Sequence, residues 1–341
     1  MSVDLVSIVE AAYRLHLDDD GWLRGIVRAA RPALGTGEGA LGFLVDANSG
    51  RDGLVQILAA AGEGLDERDF ELFHRLNQFP STAGLRDRFL RAGPAGTVGR
   101  TLREAFAQPG GFGAVMRSAG VLDSVYVLCG DTLGLSCVLA SPCRSPLSVS
   151  PERWTALAQL AAHVAAAYRL RRHSPGAWDH ADASVEAILD PTGNVQHALG
   201  QAKAPRCRLA LRTAAAAADR ARGRMRWTEP ESAVAMWAAL VAGRWSLAET
   251  FDTDGRRFMV ARRNEPDVIA RASLSVRECQ VAALVAIGHA NKVVAYELGV
   301  SVSTVGTHLA SAMHKLGVRT RNDLLQLFSQ TMPKVSDAAE A

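Results

Sequence analysis

The sequence predicts a multi-domain α+β protein in which two α/β regions precede an all-α unit of four helices. Three observations support this class. The chain has 341 residues, more than one ordinary domain. Pairs of apolar segments around glycine-containing turns predict β-hairpins. Four short C-terminal segments combine helical periodicity with capping residues. We place the regions at residues 1–172, 173–183 (a linker), 184–265, 270–331 and 332–341 (a flexible tail).

The first region opens with a helix and a hairpin. A helix is expected from about Trp22 to Leu34. The apolar segments Ala40–Val45 and Gly53–Ala59 flank the turn residues Asn48–Gly50 and predict a hairpin. The charged stretch from Glu67 to Phe106 is expected to be helical.

A second hairpin and a long helix complete this region. The segments Ser124–Cys129 and Gly134–Ser141 flank the turn Gly130–Leu133. Ser150–Glu152 supplies a cap, a proline at the first helical position and an early acid, and the helix should run to about Arg171. One seam of this helix suits either core packing or a contact between two copies of the chain; it comprises Trp154, Leu157, Ala161, Val164 and Tyr168.

This order of elements resembles a GAF-type sensor domain. The resemblance lies in the SVYVLCG…GLSCVLASP hairpin that leads into a long helix. GAF domains commonly bind small molecules or dimerise through their terminal helices. The resemblance therefore implies a small-molecule signal, which the sequence does not identify, and no cofactor is assigned.

A linker and a small α/β region follow. Arg171–Asp182 is the expected linker. The next elements are expected to be a strand (Val185–Leu189), helices near Arg208–Ala221 and Pro230–Val241, and a hairpin of Trp245–Phe251 and Arg256–Arg262. The region resembles a PAS-like module. Its helices carry arginines that predict a solvated basic face, with a DNA contact as the alternative: Arg206, Arg208, Arg212, Arg220, Arg222, Arg224 and Arg226.

The first two C-terminal helices have local start and stop signals. Ser275 and Glu278 have the spacing of a capping box at the start of the first helix, and Gly288 should end it. The second helix is expected from Asn291 to Leu298 and should stop at Gly299.

The last two helices are delimited in the same way. Ser301 should cap a helix that buries Val305 and Leu309 and ends at Gly317. Thr320 and Asp323 should start the final helix. Two short helices joined by a glycine turn form a helix-turn-helix unit, whose second helix enters the DNA major groove.

The residue order in this unit also resembles the LuxR-type DNA-binding domain. The resemblance rests on L-S-x-R-E from Leu274, the G-V-S turn from Gly299, Thr304-Val305-x-x-His308, and K-L-G-V-R-T-R from Lys315. It implies a bacterial transcriptional regulator that binds double-stranded DNA as a homodimer, with RNA polymerase as a further partner. A four-helix unit that only packs against its neighbours is the alternative.

The resemblance also implies which residues meet DNA. Lys292 is expected to contact a phosphate and Thr307 a base edge. His308 either packs against the domain core or contacts a base, whereas Arg319 and Arg321 either reach the DNA backbone or brace the last helix. The full candidate set is Lys292, Ser303, Thr304, Gly306, Thr307, His308, Ser311, Lys315, Arg319 and Arg321.

Three departures from the LuxR-type pattern bear on affinity. Gly306 and Ala310 stand where basic residues are common in the family, and Ala290 replaces the usual serine cap. Fewer cations neutralise fewer phosphates, so affinity per subunit should be low. The alternative function is therefore a protein-interaction regulator whose helix-turn-helix has lost strong DNA readout.

Other function classes fit the sequence less well. A phosphorylated receiver is rejected, because Asp18–Asp20 follows an amphipathic helix rather than a buried strand. The upstream region is too long for an acyl-homoserine-lactone receptor. Neither a P-loop nor G-x-S-x-G nor H-E-x-x-H is present, so no enzyme is predicted. The five cysteines lack metal-ligand spacing, and no metal site is expected.

The composition predicts where such a regulator works. A hydrophobic fraction of 48% with 21% charged residues indicates a globular protein with ample core, and the net charge of +3 is too small to indicate nucleic acid by itself. Neither a signal segment nor an apolar run of membrane-spanning length is evident, so a cytoplasmic location away from membranes is expected. The sensor would then mask the third C-terminal helix or hold two DNA-binding units at the wrong spacing.

Overall fold

The computed structural model describes residues 3–46, 56–77, 85–173, 184–190, 192–251, 257–268, 271 and 273–331. Within them, two antiparallel sheets and a C-terminal helical unit surround one long helix. The first sheet has the strand order β2-β1-β5-β4-β3. Its strands are β1 (Ala40–Asp46), β2 (Gln56–Glu63), β3 (Ala95–Thr97), β4 (Asp123–Gly130) and β5 (Leu135–Cys143).

The helices of the first region lie around this sheet. Asp18 caps α2 by accepting a hydrogen bond from the backbone N–H of Gly21, which places the three aspartates at a helix start. The helices are α1 (Val6–Ala12), α2 (Asp19–Ala30), α3 (Glu67–Asn77), α4 (Leu85–Ala92), α5 (Val98–Thr101), α6 (Arg103–Ala107), α7 (Phe112–Ser118) and α8 (Pro151–His173).

Both predicted hairpins of the first region are confirmed, with two differences. β2 begins at Gln56 and reaches Glu63, further along the chain than expected, because it pairs with the whole of β1. The expected turn Asn48–Gly50 lies outside the described residues. The stretch expected to be helical is interrupted by β3, which pairs with β4 although it is only three residues long.

The long helix α8 belongs to the core on all its sides. All residues from 156 to 170 except Gln159 are buried, including His163 and Arg169, so the core-packing interpretation of its seam is the one that applies. The predicted linker start at Arg171 was wrong, because the helix continues to His173. Arg171 donates to the backbone oxygens of Leu15 and Leu17, which holds the last turn in place. Residues 174–183 lie outside the described ranges.

The second sheet has the strand order β7-β6-β9-β8. Its strands are β6 (Val185–Leu189), β7 (Val195–Ala198), β8 (Trp245–Phe251) and β9 (Arg257–Arg263). The strand β7 was not predicted, since it has only four residues and the middle two are exposed polar side chains, which gives little apolar signal. Between β7 and β8 lie α9 (Pro205–Arg220), α10 (Arg226–Thr228) and α11 (Pro230–Met236), so α11 ends before the expected Val241.

One apolar core joins the two regions. A single cluster of buried residues runs from Leu5 in the first region to Ala261 in the second and includes α8. The arginine face of the second region takes part in this contact. Arg226 forms ion pairs with Asp4 and Glu10 at 2.5 and 3.0 Å, so the prediction of a solvated face was wrong at this position.

The C-terminal unit consists of α12 (Val276–Ala286), α13 (Asn291–Leu298), α14 (Val302–Leu316) and α15 (Arg321–Thr331). The first three coincide with the predicted helices, and α15 starts where Thr320 and Asp323 exchange hydrogen bonds. Leu324 and Leu325 of α15 are buried. Among the described helices, none is both long and apolar enough to cross a bilayer.

Candidate nucleic-acid interface

The helix-turn-helix is formed by α13, a glycine turn and α14. Gly299 adopts a left-handed conformation (φ 60°) that ends α13, and the Ser301 hydroxyl accepts from the backbone N–H of Thr304 at 3.0 Å to start α14. Val305, Leu309 and Ala312 form the buried face of α14. These local signals give the arrangement in which a second helix is presented to a DNA groove.

The outward face of α14 carries small side chains. Ser303, Thr307, Ala310 and His314 are exposed, and a Cβ atom at Gly306 would meet no atom within 4 Å. Described residues of the first two regions leave this face open to solvent, so the predicted masking of α14 does not occur in this structure. The face is therefore accessible but lacks a cationic side chain at positions 306 and 310.

Hydroxyl groups at the start of α14 bond to one another and to the backbone. The Ser301 hydroxyl lies 2.7 Å from the hydroxyls of Ser303 and Thr304. The Thr307 hydroxyl donates to the Ser303 carbonyl at 3.1 Å. His308 is half-buried on the same helix. At this end of α14, three candidate hydroxyls thus have partners within the helix, and Ser303 and Thr307 remain exposed to a ligand.

Two of the candidate residues bond to Glu278, a buried carboxylate on α12. Lys315 donates to its oxygens at 2.8 and 2.7 Å, and the Ser311 hydroxyl donates at 2.6 Å. Glu278 also completes the predicted capping box by accepting from the backbone N–H of Ser275. The Lys315 ammonium and these further donors lower the pKa of Glu278 to about 2.

Lys315 and Ser311 thus belong to a polar contact between α12 and α14 that is centred on Glu278. The same carboxylate caps one helix and ties it to the other, so it fixes the angle at which α14 is presented. The sequence predicts Glu278 only as a cap. Its pairing with Lys315 could not be seen locally, because the two residues are far apart in the chain.

Of the remaining candidates, some are exposed on the surface and one holds the last helix in place. Lys292 lies exposed on the first turn of α13, and Arg319 is exposed between α14 and α15. Arg321 instead donates to the carbonyl of His289 at 3.3 Å and to the side chain of Asn291. The bracing interpretation therefore describes Arg321. Asn291 is engaged there, and Ala290 leaves α13 without a side-chain cap.

Three functional candidates were missed by the sequence analysis. Glu297 and His289 form a buried pair inside the domain, with the carboxylate oxygen 3.1 Å from His289 Nδ1. Tyr296 points away from the domain and bonds to α8 and to the end of α11. An aromatic residue on α13 beside its apolar face was the only signal for this contact.

The C-terminal unit was compared with known protein families. Residues 272–328 match the family model GerE, described as bacterial regulatory proteins of the luxR family. The match spans α12, α13, α14 and most of α15, and it covers less than half of the chain. The C-terminal unit is thus a LuxR-family helix-turn-helix domain, which implies DNA-binding transcriptional regulation.

Proposed function

We propose that this protein is a transcriptional regulator that binds double-stranded DNA as a homodimer and whose DNA binding is controlled by residues 1–265. The single observation that carries the proposal is the exposed outward face of α14 within a LuxR-family domain. Lys292 contacts a phosphate, and Ser303 and Thr307 meet base edges. The protein acts on DNA in the cytoplasm, with RNA polymerase as a further partner.

The first region is the sensor in this proposal. An antiparallel sheet that leads into a long helix supports a GAF-like domain, and the second sheet supports a smaller PAS-like module. The two share one core through α8, so a signal bound in either would be felt in the other. The signal is a small molecule. It can change DNA binding only by as much as its affinities for the two conformations of the protein differ.

A selection on fragmented genomic DNA tests the DNA-binding function. Purified full-length protein is incubated with the fragments, and those retained are sequenced, with a Lys292→Ala, Thr307→Arg double variant at the same salt concentration. We expect a shared, roughly palindromic motif with the native protein alone, because a two-fold dimer reads two half-sites. Equal retention without a motif in both would contradict sequence-specific binding.

A protein-interaction regulator is the second candidate. Gly306, Ala310 and the engagement of Lys315 by Glu278 favour it, since they remove cations from the face that would meet phosphates. This candidate predicts that the full chain shows no salt-dependent retention of any duplex. The regulator proposed above predicts that retention falls as salt rises, because bound cations are released from DNA.

A further inference from the structure

The DNA-binding domain is fastened to the rest of the chain through the hydroxyl of Tyr296. This hydroxyl lies 2.6 Å from the carbonyl oxygen of Val234 and 2.5 Å from that of Trp237, at the C-terminal end of α11. It also lies 2.7 Å from Nε2 of His163 in the middle of α8. The last carbonyls of a helix have no partner within the helix. Tyr296 thus caps a helix of another region.

A second contact lies at the turn of the helix-turn-helix. Leu240 is fully buried and belongs to the apolar core of the DNA-binding domain, although it comes from the second region. A Cβ atom at Gly299 would lie 2.0 Å from the Leu240 carbonyl oxygen, so the two backbones touch. Arg277 donates to the Ala242 carbonyl at 3.1 Å. Segment 239–243 therefore completes the domain's core from outside.

The connector between β9 and α12 is fastened as well. The Asn264 side chain bonds to Arg169 at 2.9 Å and to the Ala166 carbonyl at 2.8 Å, both on α8. The Asp267 carbonyl accepts from the hydroxyl of Thr132 in the β4–β5 turn. Residues 264 and 267 of the connector are therefore bound to the first region, and the orientation of the domain follows α8.

The part of this interface around Tyr296 is polar, and some of its buried polar atoms lack a hydrogen-bond partner. Tyr296 has one hydroxyl proton and faces two carbonyl oxygens; burial raises its pKa well above the usual range, so the proton stays. Each carbonyl has a further donor, since Nε2 of His163 lies 2.8 Å from the Trp237 oxygen and the Trp237 N–H donates to Val234 at 3.2 Å. Nδ1 of His163 and Oε1 of Glu297 are buried without a hydrogen-bond partner among the described residues. Ala242 has a left-handed backbone (φ 51°), which L-residues other than glycine seldom adopt. A buried polar atom without a partner and a left-handed alanine each cost free energy in the folded chain.

We propose that Tyr296, with segment 239–243, forms a releasable dock through which the sensor controls the DNA-binding domain. The docked state holds each domain at an orientation set by its own α8. A signal that shifts α8 or α11 withdraws His163 or the two carbonyl groups from Tyr296, and the freed domain can then adopt the spacing that a DNA half-site pair requires. This inference rests on the proposed function and names its regulation.

Full-length Tyr296→Phe tests the dock from the DNA-binding side, and His163→Leu tests it from the sensor side. Tyr126→Phe is the matched control, because its hydroxyl bonds to Thr101 at 3.0 Å inside the first region. Two quantities are measured for each chain. One is amide hydrogen exchange over residues 234–242 and 264–268, and the other is affinity for a fluorescent mixed-sequence duplex at low salt.

If the dock restrains DNA binding, amide exchange over these segments should be faster in both test variants. Both should also bind the duplex about tenfold more tightly, because a tenfold change in affinity corresponds to the free energy of about one hydrogen bond. The control changes neither quantity. Unchanged exchange in both variants would show that Tyr296 does not hold the domain. Faster exchange with unchanged or weaker DNA binding would show that docking does not control DNA.

Two further outcomes also decide the question. If both variants fail to fold, the contact is part of the permanent core and not a dock, and the inference is overturned. If the native chain and every variant bind no duplex while exchange rises, the proposed function fails, yet the mechanical role of Tyr296 is still seen in the exchange data. The two failures are thereby distinguished.

Discussion

At the scale of single residues, the outward face of α14 is defined by what Gly306 and Ala310 lack. A lysine at either position would add a charge beside the phosphates, but neither residue can donate a hydrogen bond from its side chain. Lys315, the one lysine on this helix, pairs with Glu278. In the proposed function, recognition by this face would depend on close approach and on contacts of small groups with base edges.

Gly306→Lys should raise DNA affinity. The new side chain would extend into open space, since a Cβ there meets nothing within 4 Å. It would neutralise one more phosphate, so the slope of log affinity against log salt should steepen by about one. Fluorescence anisotropy over a salt series measures this slope. Gly25→Lys adds the same charge to α2, where a Cβ also meets nothing, and should leave the slope unchanged.

Glu278→Gln should destabilise the DNA-binding domain at neutral pH, because an amide can still serve the cap but cannot pair with Lys315. The pKa of Glu278 is lowered from 4.5 to about 2, so its contribution to stability is present above pH 4.5 and is lost as the pH falls towards 2. Urea midpoints of variant and native protein should converge over that window. Glu71→Gln, at an exposed position on α3, is the control and should show no such convergence.

At the scale of secondary-structure elements, local capping decides where the helices of the DNA-binding domain begin and end. Ser275 and Ser301 cap α12 and α14 through bonds three residues along the chain, and Gly299 and Gly317 end helices in left-handed conformations. Helix α13 is the exception. Its cap position is held by Ala290, whose side chain cannot accept a hydrogen bond.

Ala290→Ser should stabilise α13 by about 1 kcal/mol, the usual worth of a serine cap over alanine. The backbone at Ala290 is already extended (φ −67°, ψ 153°), so a serine hydroxyl can reach the N–H groups of the first turn. Slower amide exchange in α13 is the measurement. Ala216→Ser, at an exposed interior position of α9, should weaken its helix by a few tenths of a kcal/mol. Unchanged exchange in α13 would mean that another group already caps it.

At the scale of the whole molecule, α8 connects all three parts. It packs on the first sheet, on α11 and on α13, and its buried polar residues all reach outward to other regions. His163 bonds to the DNA-binding domain and to the second region, whereas Arg169 bonds to the connector. A domain boundary after residue 172 therefore describes the order of the chain but not an independent core.

His163 should make the stability of the chain depend on pH. Burial lowers its pKa from 6.5 to about 4, so the unfolded chain binds the proton more readily. Stability is full above pH 6.5 and falls as the pH drops towards 4, by on the order of 3 kcal/mol. Denaturant titrations across this pH range measure how the free energy of unfolding changes with pH. His163→Leu should remove the contribution of His163 to this pH dependence. His16→Leu, at an exposed position, should leave the pH dependence unchanged.

The sequence by itself determined the elements whose signals are local. Caps and glycines a few residues apart mark most boundaries of the C-terminal helices, although α13 begins without a side-chain cap, and Ser275 with Glu278 is the clearest of these signals. The two hairpins of the first region and the hairpin of β8 and β9 follow from pairs of apolar segments separated by residues typical of turns. The DNA-binding function follows from the same local pattern, because LuxR-type residues occur together in it.

Only the tertiary structure decided the features that join distant residues. β3 is a strand because it pairs with β4, not because its three residues have a strong local tendency to be extended. Lys315 bonds to Glu278 instead of remaining free on the surface, and Arg226 pairs with Asp4 before α1 and with Glu10 on α1. Tyr296 meets His163, which lies 133 positions earlier in the chain. Such contacts depend on which surfaces pack together, and no short-range pattern in the sequence records that choice.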